Sequence, residues 1–195
     1  MRTERALLAI AALVMLAVSG CTSERSSGAA PAAPESYRPV ALTAGWQDQV
    51  RLVPVTHEQW LLELEALEGR IVVVDNWATW CAPCIERFPA MVELAGQWSP
   101  RGVTFVSLSL DGNDGPESIE QVSEFLRTQD ARIPNYLMDE VIPDAFEKLG
   151  LLGIPAVFIY DASGEMTHRL TGDDPNDQFT EADVEEAIRS LVGQA

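Results

Sequence analysis

The chain has 195 residues, 47% of them hydrophobic, and carries a net charge of −17 at pH 7. That length suits one ordinary domain with a tail. So acidic a surface repels phosphate backbones and argues against nucleic acid as a partner, and no apolar run reaches the roughly 20 residues of a membrane span.

The elements follow in chain order. Arg2 and Arg5 precede an unbroken apolar run, Ala6–Val18, and then the small residues Ser19 and Gly20. These are the three parts of an export signal, assigned to residues 1–20. The segment Val18-Ser19-Gly20-Cys21 resembles the lipobox of bacterial lipoproteins, in which the cysteine carries the lipid. Residues 21–45, rich in Ser, Ala, Pro and Gly, are expected to be a flexible tether spanning roughly 25–30 Å. Residues 46–195 then form the folded domain.

Val50–Val55 is predicted as a strand. Thr56 with Gln59 makes a capping-box pattern for a helix over His57–Leu67. Ile71–Val74 is a β-branched run without polar alternation, as in a central strand covered on both faces. A helix through about Trp98 follows, with Phe88, Val92 and Ala95 toward the core and Pro89 expected to kink it. Val103–Leu110 reads as a buried strand, Pro116–Arg127 as a helix and Tyr136–Met138 as a short strand. Asp144–Leu149 is a short helix, Ala156–Tyr160 and Met166–Leu170 form a hairpin, and Glu181–Val192 is the closing helix. This order predicts an α/β fold: a central mixed β-sheet flanked by helices on both faces.

The chemistry concentrates in Cys81-Ala82-Pro83-Cys84. A zinc site would need a second C-x-x-C or a C-x-x-H, which the sequence lacks, and His57 and His168 stand apart; no metal and no cofactor are expected. At a strand-to-helix junction, Cys81 lies at a helix N-terminus, where unpaired N–H groups and the dipole favour a thiolate. Cys84, one turn on, is placed to form a disulfide with it. Cys81 then attacks a substrate disulfide and Cys84 resolves the mixed disulfide.

Trp77-Ala78-Thr79-Trp80-Cys81-Ala82-Pro83-Cys84 resembles the active-site motif of the thioredoxin superfamily, most closely its membrane-anchored TlpA/ResA-like branch. Gly153-Ile154-Pro155-Ala156 resembles that superfamily's cis-proline loop. The resemblance covers about Val50 to Val192 and implies a thioredoxin fold and a thiol–disulfide oxidoreductase. It implies a cis Pro155 beside the disulfide and an Ile154 backbone that pairs with an extended substrate segment. Trp80 and Pro83 add contact surface, Trp77 packs in the core, and Asp75 relays a proton to the resolving thiol; the alternative for Asp75 is a surface carboxylate at a strand end.

The implied setting is the bacterial cell envelope, with the domain lipid-anchored through Cys21 and facing the periplasm or cell exterior. Its partners are protein thiols and disulfides and a membrane redox protein. In Glu86-Arg87-Phe88-Pro89, Arg87 stands where many ResA-like members carry a glutamate, so the specificity linked to that glutamate does not transfer. A reductase is the expected direction. The alternatives are an oxidase or isomerase of the same fold, and a copper-handling module using the two thiolates as soft ligands.

Overall fold

The computed structural model describes residues 37–42, 45–112, 115–174 and 178–193. The expected signal segment, Cys21 and most of the expected tether lie outside these residues. Among the described residues no helix is long and apolar enough to cross a membrane.

The elements are β1 (Val53–Val55), α1 (His57–Glu65), β2 (Ile71–Trp77), α2 (Ala82–Trp98), a 3-10 turn (Ser99–Arg101), β3 (Val103–Ser109), α3 (Pro116–Thr128), β4 (Asn135–Met138), α4 (Ile142–Leu149), β5 (Ala156–Tyr160), β6 (Met166–Thr171) and α5 (Glu181–Val192). The sheet order is β1-β4-β3-β2-β5-β6. The first four strands run parallel, and β5 and β6 are antiparallel additions beside β2. This is the mixed sheet with helices on both faces that the sequence order predicts.

Strand alternation sorts the core into two layers. On one face Val72, Val74, Val106, Leu108, Tyr136, Met138 and Phe158 pack against Trp60 of α1 and Ala145 of α4. On the other, Ile71, Val73, Phe105, Val157 and Ile159 meet α2 and α5 through Met91, Leu94, Trp98, Val184 and Ile188. Next to that layer, Trp77 and Leu137 pack with Phe88 of α2 and with Val122 and Leu126 of α3. Burying each such large apolar side chain contributes about 1.5–3 kcal/mol.

The local signals act as expected at α1, where Thr56 and Gln59 form the reciprocal capping box. Most bounds move by only one or two residues, and two strands differ more. Strand β1 keeps only the last three residues of the predicted stretch. Strand β2 runs past Val74 to Trp77, because its polar residues Asp75 and Asn76 remain buried and paired in register with β3 and β5. Helix α2 runs to Trp98 as expected, with Pro89 inside it, which leaves the Ile85 carbonyl without its usual helical donor. Val92 is only half-buried on that helix, and Met91 and Leu94 take the core positions.

Packing also starts before residue 46, the domain boundary drawn from composition. Glu63 on α1 is fully buried. Its carboxylate accepts hydrogen bonds from the Tyr37 hydroxyl, from the backbone N–H groups of Val40 (2.9 Å) and Ala41 (2.7 Å), and from the Tyr136 hydroxyl (2.9 Å). One buried anion thereby fixes residues 37–41 to the β4 side of the sheet. Glu63→Ala leaves these donors without their acceptor, so urea denaturation at pH 7 should show a loss of about 2–4 kcal/mol. Glu63→Gln, which still accepts through its amide oxygen, should lose clearly less.

Candidate active site

The site lies at the C-terminal end of β2, where a strand sealed by neighbours turns into α2. Trp77, the last residue of β2, donates its indole N–H to the Ser107 hydroxyl (2.8 Å) and packs its ring on Phe88 and Phe125. It is a core residue, as expected. The next turn is held by Asp111 just beyond β3. Its carboxylate accepts from the Thr79 backbone N–H (3.0 Å), the Thr79 hydroxyl and the Ser109 hydroxyl (2.7 Å). Asp111 is itself buried, so the loop carrying Trp80 is tied to the sheet from beneath.

Cys81 is the N-cap of the 17-residue α2 and is bonded to Cys84, with an S–S distance of 2.06 Å. The Cys84 backbone N–H points at the Cys81 sulfur (3.3 Å), the arrangement by which a helix start stabilises a thiolate once the bond is reduced. The two sulfurs differ in access: Cys81 is 6% exposed and Cys84 1%. Cys81 is thus the more reachable of the pair, though well covered in the oxidised form.

Around the pair the surface is apolar. Trp80 is 53% exposed, with its ring 6.5 Å from that of Phe146 and nearly parallel to it. Pro83 is exposed on the first turn of α2. The Ile154–Pro155 peptide bond is cis. Ile154 packs on the cluster that contains both cysteines. Pro155 is buried, and its ring lies so close to Gly172 that a Cβ there would come within 3.2 Å of it.

Asp75 lies on β2 in the face covered by α2 and α5. It is 4% exposed, and neither of its carboxylate oxygens has a hydrogen-bond partner. Burial is the main force on it and pushes its pKa from 3.8 up to about 6. The structure therefore places it inside the protein and not on the surface. Among the described residues no three His, Cys, Asp or Glu side chains converge on a common point.

The structure brings Cys81, Cys84, Trp80, Pro83 and Ile154 to one end of the sheet. Asp111, Phe146 and the ion pair between Arg87 and Glu181 were not singled out from the sequence. The only signal for Asp111 was an acid opening a turn after a buried strand. Phe146 sits in a short helix whose contact with Trp80 crosses a long sequence gap.

Comparison with known proteins agrees with this geometry. The AhpC/TSA family model matches residues 52–169, more than half of the chain, and the chain belongs to that family. It is 26% identical over 120 residues to the thiol-disulfide oxidoreductase ResA of Bacillus thuringiensis subsp. konkukian, a match covering 62% of this chain and 65% of that protein. The chain thus spans just under two thirds of that relative's length. Against the thiol:disulfide interchange protein HelX of Rhodobacter capsulatus it is 25% identical, covering 73% of this chain and 75% of HelX. A thioredoxin family thiol:disulfide interchange protein from Chlorobium tepidum superposes with a TM-score of 0.51 at 27% identity, over 66% of this chain and 83% of that one. The fold is the thioredoxin fold.

The buried acid has a measurable cost. Between pH 3.8 and about 6 the folded protein retains a proton that the unfolded chain has released, so stability falls as pH rises through that window. Above it, the ionised carboxylate is a constant penalty. Asp75→Asn should accordingly stabilise the oxidised protein by about 2–3 kcal/mol at pH 7–8. Urea denaturation across pH should show that gain shrinking below the folded pKa and vanishing near the ordinary carboxylate value; a gain independent of pH contradicts the assignment.

Proposed function

We propose that this AhpC/TSA-family protein is a thiol–disulfide oxidoreductase that reduces disulfides of exported proteins. The observation that carries this reading is the Cys81–Cys84 disulfide capping α2, with its less exposed sulfur on the sheet face that holds the buried, unpartnered Asp75. The similarity to the thiol-disulfide oxidoreductase ResA and the thiol:disulfide interchange protein HelX supports the thiol–disulfide chemistry.

In the reducing direction the Cys81 thiolate attacks one sulfur of a substrate disulfide. A Cys81–substrate bond forms, the substrate S–S bond breaks, and the leaving thiolate takes up a proton. Cys84 then gives its proton to Asp75 and attacks the Cys81 sulfur, which closes the Cys81–Cys84 bond and releases the second substrate thiolate. Two electrons pass to the substrate, and a membrane redox partner restores the dithiol. Trp80 and Pro83 offer the flat apolar surface, while Ile154 and Pro155 align an extended segment of the substrate beside the sulfurs.

The N-terminal address completes the reading. Cleavage after Gly20 and lipidation of Cys21 hold the domain in the cell envelope, with two or three acyl chains giving a stable anchor at about 0.8 kcal/mol per buried methylene. Cys21→Ser should shift the protein from the membrane fraction to the soluble fraction of a bacterial host and remove its lipid mass.

The deciding experiment is to trap substrates. Cys84→Ser should accumulate mixed disulfides through Cys81, seen as high-mass bands that a thiol reagent removes, and Cys81→Ser should accumulate none. Trapping through Cys84 instead overturns the roles. Direction is read from the reduction potential: a value near −270 mV fits the reductase, and one near −120 mV reverses it to an oxidase.

A further inference from the structure

The loop that carries Ile154 and Pro155 is bordered on one side by the stretch that follows β6. The Gly172 N–H donates to the Pro155 carbonyl (2.9 Å), which carries the pairing of β5 with β6 one step beyond Ala156 and Thr171. The two stretches are closely packed. A Cβ at Gly172 would come within 3.2 Å of the Pro155 ring, and one at Gly153 would lie 3.5 Å from Cβ of Asp173. Asp173 thus sits against the residue that precedes Ile154. From the other side Gln178 closes the turn, its amide donating to the carbonyls of Gly172 (3.0 Å) and Asp174.

The Asp173 carboxylate is exposed and accepts a hydrogen bond from the Thr171 hydroxyl. That bond holds its carboxyl below the usual carboxylate range, so it is an anion throughout the physiological pH range. Among the described residues no cation forms an ion pair with it. The basic groups of nearby elements are engaged elsewhere. Arg169 donates to the Gly150 carbonyl and lies 4.9 Å over the Phe158 ring, Lys148 pairs with Glu140 at 2.8 Å, and Arg87 is buried beside Glu181. Two more exposed carboxylates, Asp144 and Glu147, lie on α4, the helix whose Phe146 faces Trp80. The apolar redox surface is therefore flanked by anions whose charge no neighbouring cation cancels.

We propose that Asp173 is a specificity-determining residue: it receives a lysine or arginine of the substrate segment that lies along Ile154, so that the protein favours disulfides whose cysteine is flanked by a basic residue. The inference rests on the alignment of substrate beside Ile154 and Pro155 given above. A segment paired with the Ile154 backbone lies about 4.8 Å from it, continues past Gly153, and sends its side chains alternately to either face. A lysine or arginine there can lay its apolar stem on the loop and place its charge at the Asp173 carboxylate. An exposed pair of this kind adds little affinity; it selects among partners and speeds their encounter.

The test is single-turnover exchange between the reduced full-length protein and disulfide-bonded peptides. The peptides share one apolar sequence and carry Lys, Gln or Glu at each of the three positions on either side of the reacting cysteine. In each turnover the Cys81–Cys84 dithiol becomes a disulfide and the peptide disulfide becomes two thiols. The wild-type protein should react about 3-fold faster with the best Lys peptide than with its Gln counterpart, and more slowly with Glu, and high salt should erase the difference. Asp173→Asn, which still accepts from Thr171 through its amide oxygen, should level the series, and Asp173→Lys should turn it round in favour of Glu. A purely structural role for Asp173 would change every rate by one factor and keep the ranking, and that result overturns the proposal. So does a Lys preference that survives in Asp173→Asn, since the selecting charge then lies elsewhere. Peptides that the wild-type dithiol leaves oxidised overturn the functional reading and this inference with it, whereas equal rates for all three charges overturn the inference alone.

Discussion

Strand β2 has no free edge and no exposed face. It pairs with β3 along one side and β5 along the other, and all seven of its residues are buried. Whatever this strand carries is taken out of water, and the site is assembled at its end. A residue that ionises there does so without solvent to help it. Asp75 is the acute case. Asn76, on the opposite face, meets the same constraint with its amide, which donates to the Ala156 carbonyl (3.1 Å). Trp77 meets it with an indole N–H on Ser107. Neither carboxylate oxygen of Asp75 has such a bond, and burial drives its carboxyl toward the neutral form.

The redox turn is rigid on one side and open on the other. Beneath it, Asp111 and Ser109 fasten Thr79 to the end of β3, and Phe88 and Phe125 wedge Trp77 in place. Above it, Trp80 and Pro83 present apolar surface to solvent. A fixed floor with an apolar rim suits a group that must meet many partner segments in one geometry: the reacting sulfur stays registered to the helix dipole, and the partner does the adjusting.

The local rules carried most of the architecture in the sequence. Thr56 with Gln59 announced the start of α1, β-branched runs marked β2 and β3, and two short motifs in the right order identified the site. The misses share a cause. Asp75 and Asn76 break the apolar run, so the strand seemed to stop at Val74, whereas backbone pairing on both edges overrides side-chain polarity. Glu63 reads as part of the polar face of α1, and Asp111 as a turn former. Their bonding partners lie 22 to 73 and 32 residues away, respectively. A carboxylate that gathers distant donors leaves no period in the sequence, and only the folded chain reveals what it holds.

Glu63 bears on where the domain can be cut. Composition suggests trimming at residue 46, just after the Pro- and Ser-rich stretch. A fragment begun there discards Tyr37, Val40 and Ala41 and leaves a buried carboxylate with the Tyr136 hydroxyl as its remaining donor from this set. It also removes the Val40 and Ala41 carbonyls that receive the Trp46 indole N–H. Ala41, part of the core layer over α1, is lost as well. The folded unit therefore begins no later than Tyr37, and the stretch that looks like spacer is, at its end, part of the wall of the domain.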